Sequence, residues 1–263
     1  MMEAALWVAK TGLDAQQTRM TVIANNLANV NTTGFKRDRA TFEDLLYQSV
    51  RQGGAQTSAD TTAPTGLLLG TGTRVVATEK LHAQGNLIQT QNAFDLAISG
   101  EGFFQILQPD GTLAYTRDGG FKISGEGVLV NSSGYRLQPE LAIPQNAQTI
   151  TIGADGTVSI QAFGEAQAQT IGQIQLARFL NPSGLQAIGE NLFRETTSSG
   201  PPQVGIPSQQ GNGQLIQGAL ESSNVNVVEE MVSMIETQRA YEVNSKAIEA
   251  VDGMLRFANN NLG

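Results

Sequence analysis

Proline is confined to the middle of this 263-residue chain and glycine is concentrated there, and that distribution decides what it can fold into. All eight prolines fall between Pro64 and Pro207, and 25 of the 29 glycines fall between Gly53 and Gly218. Proline breaks a helix and glycine weakens one, so long helices are restricted to the two ends. The middle has to be built from strands, turns and extended connections. Both ends carry an apolar repeat. Leu6, Ala9, Leu13, Gln16, Met20, Ile23, Leu27 and Val30 recur at alternating steps of three and four, and Val227, Met234, Tyr241, Ile248 and Leu255 recur every seventh residue, with Met231 between the first two. Heptad spacing predicts a seam against a partner helix. The fold class expected is therefore α+β. Residues 1–34 and 219–263 form a coiled-coil-like terminal domain, and a β-rich insert lies between them.

The first helix is expected from about Glu3 to Asn31, with Gly34 just beyond as the stop. Asn25, Asn26 and Asn29 are poor helix formers placed close together. Their carboxamides either face solvent or hydrogen-bond to neighbouring helices in an assembly. The last helix opens at Asn226 as cap, with Glu229 at its third position and Glu230 beside it at the positive end of the dipole, and runs to about Phe257.

Between the helices, residues 35–92 and 200–218 read as an extended β connecting region, and 93–199 as a β-rich outer domain, an irregular sandwich or barrel. Phe103, Phe104 and Ile106 begin a strand, the turn Pro109–Thr112 closes a hairpin, and Asp155-Gly156 closes another within Thr149–Ile160. The polar stretch from Tyr47 to Gly66 has linker composition.

The formal net charge is −8 and no basic run occurs, which argues against nucleic acid and anionic membranes as partners. No apolar run approaches the roughly 18 residues that span a bilayer. The N-terminus carries Glu3 where a secretory signal needs basic residues, so the chain is expected to be cytoplasmic or exported by a route that uses no cleaved signal. Without cysteine, and with His82 the single histidine, no metal site, cofactor or His-based triad is expected. His82 is expected to be hydrogen-bonded or at the surface. Asp110, Asp118 and Asp155 each precede a glycine, so turn chemistry accounts for them. Gly100 and Gly102 lack the third glycine and following helix of a phosphate cradle. Neither an enzyme nor a small-molecule substrate is expected.

Two long runs carry a resemblance. VIANNLANVNTTGFKRDRATFEDLL (Val22 to Leu46) resembles the N-terminal signature of the bacterial flagellar axial proteins, the rod and hook subunits. ESSNVNVVEEMVSMIETQRAYEVNSKAIEAVDGML (Glu221 to Leu255) resembles their C-terminal signature. The likeness spans essentially the whole chain and is strongest to the distal rod branch.

The resemblance implies a structural subunit that polymerises helically into a straight, hollow drive shaft carrying torque from motor to hook. It implies subunit packing through Leu6, Leu13, Met20, Ile23, Asn25, Asn26, Leu27, Asn29, Val227, Met231, Met234, Tyr241, Ile248 and Leu255. The stretch 47–66, with Tyr47, Gln52, Gln56, Thr62, Pro64 and Gly66, resembles the insertion that stiffens the rod. The partners implied are other copies of the chain, proximal rod proteins, hook protein, the rod-capping protein, the P and L rings and the flagellar type III export apparatus, with assembly in the periplasm. A proximal rod or short hook subunit is the alternative inside the family. Outside it, the alternative is a β-rich binding module with helical oligomerisation ends.

Overall fold

In the computed structural model, residues 2–51, 56–58, 61–62, 65–144, 146–163 and 167–262 are described. They contain only two α-helices, α1 (Met2–Ala28) and α2 (Val227–Leu262), against twenty-two strands in several sheets. The α+β, coiled-coil-like expectation is therefore corrected: the protein is mostly β, with one helix at each end. The heptad positions also fail to form a dry seam. Leu6, Leu13, Met20, Leu27, Met234, Ile248 and Leu255 are only half-buried, and Val227, Met231 and Tyr241 are exposed. Of the heptad positions Ile23 is buried, but the other buried residues on the helices are Ala15, Asn26, Glu230 and Thr237, small or polar side chains that a coiled-coil core disfavours. A seven-residue repeat marks a face without saying what covers it, and here the chain itself leaves that face largely open.

The chain divides into two compact units. One comprises α1, residues 38–79 and α2. In this unit α1 and α2 approach closely at Gly12, where an added Cβ would sit 3.1 Å from Nδ2 of Asn244. Asn226 caps α2 as its sequence predicts, with Oδ1 accepting from the backbone N of Val228 at 3.1 Å. α2 continues past the expected Phe257, and α1 ends three residues short of Asn31. The segment 38–79 is a ribbon of nested strand pairs. Asp38–Asp44 pairs with Thr73–Lys80, Tyr47–Arg51 with Leu67–Gly70, and Gln56–Ser58 with Thr61–Thr62. Leu45 N donates to Gly72 O at 2.8 Å between the first two pairs. The stretch that reads as a linker is thus, where described, paired strand.

The other unit comprises residues 29–37 and 80–225. Its main sheet runs Lys122–Ile123, Leu129–Val130, Arg136–Gln138, Phe103–Leu107, Leu113–Thr116, Leu192–Arg194 and Gln186–Gly189, with Leu176–Arg178 also paired to Phe103–Leu107 and carrying Gln203–Gly205. The hairpin predicted at Pro109–Thr112 joins Phe103–Leu107 to Leu113–Thr116, with Ile106 opposite Ala114. The second predicted hairpin, at Asp155-Gly156, opens a three-stranded sheet with Ile152 opposite Val158. Residues of both sheets build the core, including Phe104, Ile106, Leu129, Leu137, Ile152, Val158 and Leu176, joined by Ile174 from the connection before Leu176–Arg178. A second cluster joins Phe103, Tyr115, Ala177, Phe179 and Phe193.

Candidate subunit interface

The three aspartates that precede glycines are held in turns, as expected. Asp110 Oδ1 accepts from Thr112 N at 2.9 Å and from Thr112 Oγ1 at 2.6 Å, and these bonds hold its carboxyl below the usual aspartate value. Thr157 does the same for Asp155. Asp118 accepts from Gly120 N at 3.0 Å, while burial pushes its carboxyl up. Among the described residues, no cluster of three or more His, Asp or Glu could hold a metal ion. None of the described helices is long and apolar enough to cross a membrane.

Exposed apolar surface is what stands out instead. On the ribbon, Leu46 is 88% exposed, Leu68 61%, Val50 60% and Tyr47 58%, with Leu67 and Leu69 exposed beside them. Solvated β surface normally alternates apolar with polar, so a run of this kind points to a covering partner. The Tyr47 hydroxyl is tied to Asp44 by a hydrogen bond and by its charge, which together raise its pKa. Gly66 lies just before the strand Leu67–Gly70. Gln56 and Thr62 are described in their backbone alone, and Gln52 and Pro64 lie outside the described residues.

α2 carries a second exposed set. Val227 and Met231 belong to it, and so do Val228, Val232, Ile235 and Val243, which the heptad reading passes over. Val228, Val232 and Ile235 each lie one position past a residue of the repeat, and Val243 lies two past Tyr241. The run Leu67–Leu69 was the sequence signal for the ribbon's apolar face.

The asparagines of α1 are used within the chain. Asn26 is 1% exposed. Its Nδ2 donates to Asp38 O at 2.9 Å and to Glu230 Oε2 at 3.3 Å, while its Oδ1 accepts from Asp38 N at 2.8 Å. Asn25 Nδ2 reaches Asp38 Oδ2 at 3.3 Å. In the other unit, Asn29 Oδ1 accepts from Thr32 Oγ1 at 3.1 Å. Ile23 is buried as well.

Two terminal helices, a long β ribbon and a β unit, with open apolar faces on the ribbon and on α2, suit a subunit that packs against others. Comparison with known proteins agrees. Residues 6–36 match the family "Flagella basal body rod protein", residues 97–160 the "Flagellar hook protein FlgE/F/G D1 domain", and residues 216–261 the "Flagellar basal body rod FlgEFG protein C-terminal". The flagellar basal-body rod protein FlgG of Buchnera aphidicola from Schizaphis graminum is 56% identical over 252 residues, 96% of this chain and 97% of that one. The same-named protein of Borreliella burgdorferi is 50% identical over 97% of both chains. That of Caulobacter vibrioides is 47% identical over 96% of this chain and 97% of its own.

The chain belongs to the flagellar basal-body rod protein family. It is a structural subunit of the flagellar basal body, built to assemble with other flagellar proteins into the rod. The FlgG relatives, matched end to end, place it with the distal rod subunits rather than with hook proteins or unrelated binding modules.

Proposed function

We propose that this rod subunit stacks helically with copies of itself into a straight, hollow shaft that crosses the periplasm and carries torque to the hook. The observation that carries this reading is the apolar ribbon. A two-stranded ribbon exposing Leu46, Tyr47, Val50, Leu67 and Leu68 is marginal on its own in water and gains stability when another surface covers it. The flank of α2, from Val227 and Val228 through Met231, Val232 and Ile235, offers a second face for lateral packing. Subunits joined by two separate faces resist bending more than subunits joined by one, because tilting strains both contacts together.

In this reading the half-buried positions Leu6, Leu13, Met20, Leu27, Met234, Ile248 and Leu255, with exposed Tyr241, are completed by neighbouring copies. The stretch 47–66 supplies stiffness. Proximal rod proteins, hook protein, the rod-capping protein and the P and L rings are the neighbours along and around the shaft. The subunit travels through the flagellar type III apparatus as an unfolded chain, a route that the absence of cysteine suits.

Electron microscopy of polymers grown from the full chain and from a chain lacking residues 47–66 tests this. Straight tubes from the first and curved or flexible tubes from the second are expected. Equally straight tubes from both would remove the ribbon as the source of stiffness.

A further inference from the structure

The two segments by which the chain enters and leaves the β unit meet within it. Residues 29–37 follow α1, and residues 221–225 come just before α2. Lys36 and Glu221 stand 185 positions apart, yet Lys36 Nζ donates to Glu221 Oε1 at 2.5 Å. The N–H of Gly34 donates to Glu221 O at 2.8 Å, and the N–H of Arg37 to Asn224 Oδ1 at 2.7 Å. A third segment is knitted into both. Lys36 Nζ also donates to Ala83 O at 2.8 Å, and Glu221 Oε1 also accepts from the N–H of Gly85 at 2.9 Å. Asn224 Nδ2 donates to Leu81 O at 2.8 Å and to Ala83 O at 2.9 Å. The backbones approach as only glycine permits: a Cβ on Gly85 would lie 2.0 Å from Ser222 O.

Apolar packing would hold these segments less exactly. It has no preferred direction, so packed segments can slide, whereas each hydrogen bond sets a distance and an angle. Charge fixes the pairing further. Arg117 Nε lies 3.5 Å from Glu221 Oε2, so one carboxylate serves two cations, and all three side chains are at most 4% exposed. A slip of either segment would strand a buried charge, which is strongly unfavourable.

We propose that this network is a clasp, closed in the free subunit, through which Glu221 and Asn224 position the chain where it leaves the β unit for each helix. Both are then positioning residues for assembly, a consequence that rests on the polymer read above. The clasp is cooperative: each member holds a segment that the others also hold, so loosening one loosens all.

Amide hydrogen exchange of the free subunit and the critical concentration for polymerisation test this on full-length variants, each held well below its thermal midpoint. In Asn224→Ala the amide of Arg37 loses its acceptor, while those of Gly34 and Gly85 keep theirs. All three are expected to exchange about tenfold or more faster, and the critical concentration to rise about tenfold or more. Faster exchange at Arg37 alone would mean independent bonds and overturn the clasp. An unchanged critical concentration would overturn the positioning role. Glu221→Gln leaves Lys36 and Arg117 without an anion and is expected to lower the thermal midpoint and raise the critical concentration. Adding Lys36→Met removes the surplus cation. The double variant is expected to regain most of the thermal midpoint but not the critical concentration, because the bonds from Lys36 to Glu221 and Ala83 are still missing. Recovery of both would reduce Glu221 to charge balance and overturn its positioning role. If either Glu221 variant does not fold, Asn224→Ala decides alone. Absence of polymer from the unaltered chain would sink the polymer reading instead, and exchange in Asn224→Ala would then decide the clasp.

Discussion

Position 34 shows how tightly a single residue is specified. Its φ is +69°, and a Cβ there would lie 2.6 Å from the backbone nitrogen of Asp118. Its own N–H donates to Glu221 O at 2.8 Å. Glycine here ends no helix, since α1 stops at Ala28; it lets two backbones meet beside the Lys36–Glu221 pair. Gly34→Ala carries both a left-handed backbone cost and a clash with main chain. It is expected to destabilise the fold by about 2 kcal/mol or more, read as a drop in the thermal midpoint. The sequence marks Gly34 as a stop signal but cannot show Asp118, which is 84 positions away in the chain. His82 teaches the same lesson. Expected to be hydrogen-bonded or at the surface, it is buried among aromatic rings, with a weak hydrogen bond to the Pro182 backbone that falls short of good geometry. Burial first, and then the charges of Lys36, Arg117 and Lys80, lower its pKa from 6.5 to about 4. The folded chain therefore favours the neutral ring. The stability this contributes is complete above pH 6.5 and is lost as pH falls toward 4. Its size is at most about 3 kcal/mol. Denaturant titrations of the unaltered chain and His82→Asn from pH 7 to 4 check this: the difference between them should shrink through that window. A constant difference would show that His82 does not titrate with folding.

Among the elements, the ribbon and α2 separate what local chemistry can specify from what it cannot. The hairpin turns at Pro109–Thr112 and Asp155-Gly156 were legible because an aspartate, a glycine and a threonine within four residues fix the turn. The cap at Asn226 was legible for the same reason. The ribbon was not, because Tyr47 meets Gly70 across a polar stretch whose composition alone suits a linker. The heptads misled in a different way. They locate a helix face, and whether a face is a seam or a surface depends on what lies opposite, which one sequence does not contain. The ribbon's exposed leucines make this testable. Leu46→Ser with Leu68→Ser removes apolar groups that touch little in the free subunit, so its stability should change by less than about 1 kcal/mol. The critical concentration for polymerisation should rise about tenfold or more, because the same side chains become buried only on assembly. Sedimentation measures the second quantity and chemical denaturation the first. A large loss of subunit stability with an unchanged critical concentration would mean that the leucines serve the fold rather than the assembly.

At the scale of the whole molecule, a net charge of −8 works against a polymer of identical subunits. Every copy added to a growing end meets like charge, and the repulsion reaches about 30 Å at 0.01 M salt but only about 8 Å at 0.15 M. The attraction proposed for the interfaces is apolar, from Leu46, Val50, Leu67 and Leu68 on the ribbon and Val228, Met231, Val232 and Ile235 on α2, and salt does not weaken apolar burial. The surface ion pairs of the ribbon, Arg39–Glu79 and Arg74–Glu43, are satisfied within one subunit, so their screening costs the assembly little. The two contributions therefore respond to salt in the same direction: repulsion fades and attraction holds. Raising sodium chloride from 0.01 M to 0.15 M is expected to lower the critical concentration several-fold, with little change in the thermal midpoint of the free subunit. Sedimentation of polymer against salt measures this directly. A critical concentration that rose with salt would show that complementary ion pairs between subunits outweigh the apolar faces, and the search for the interface would move to the charged surface.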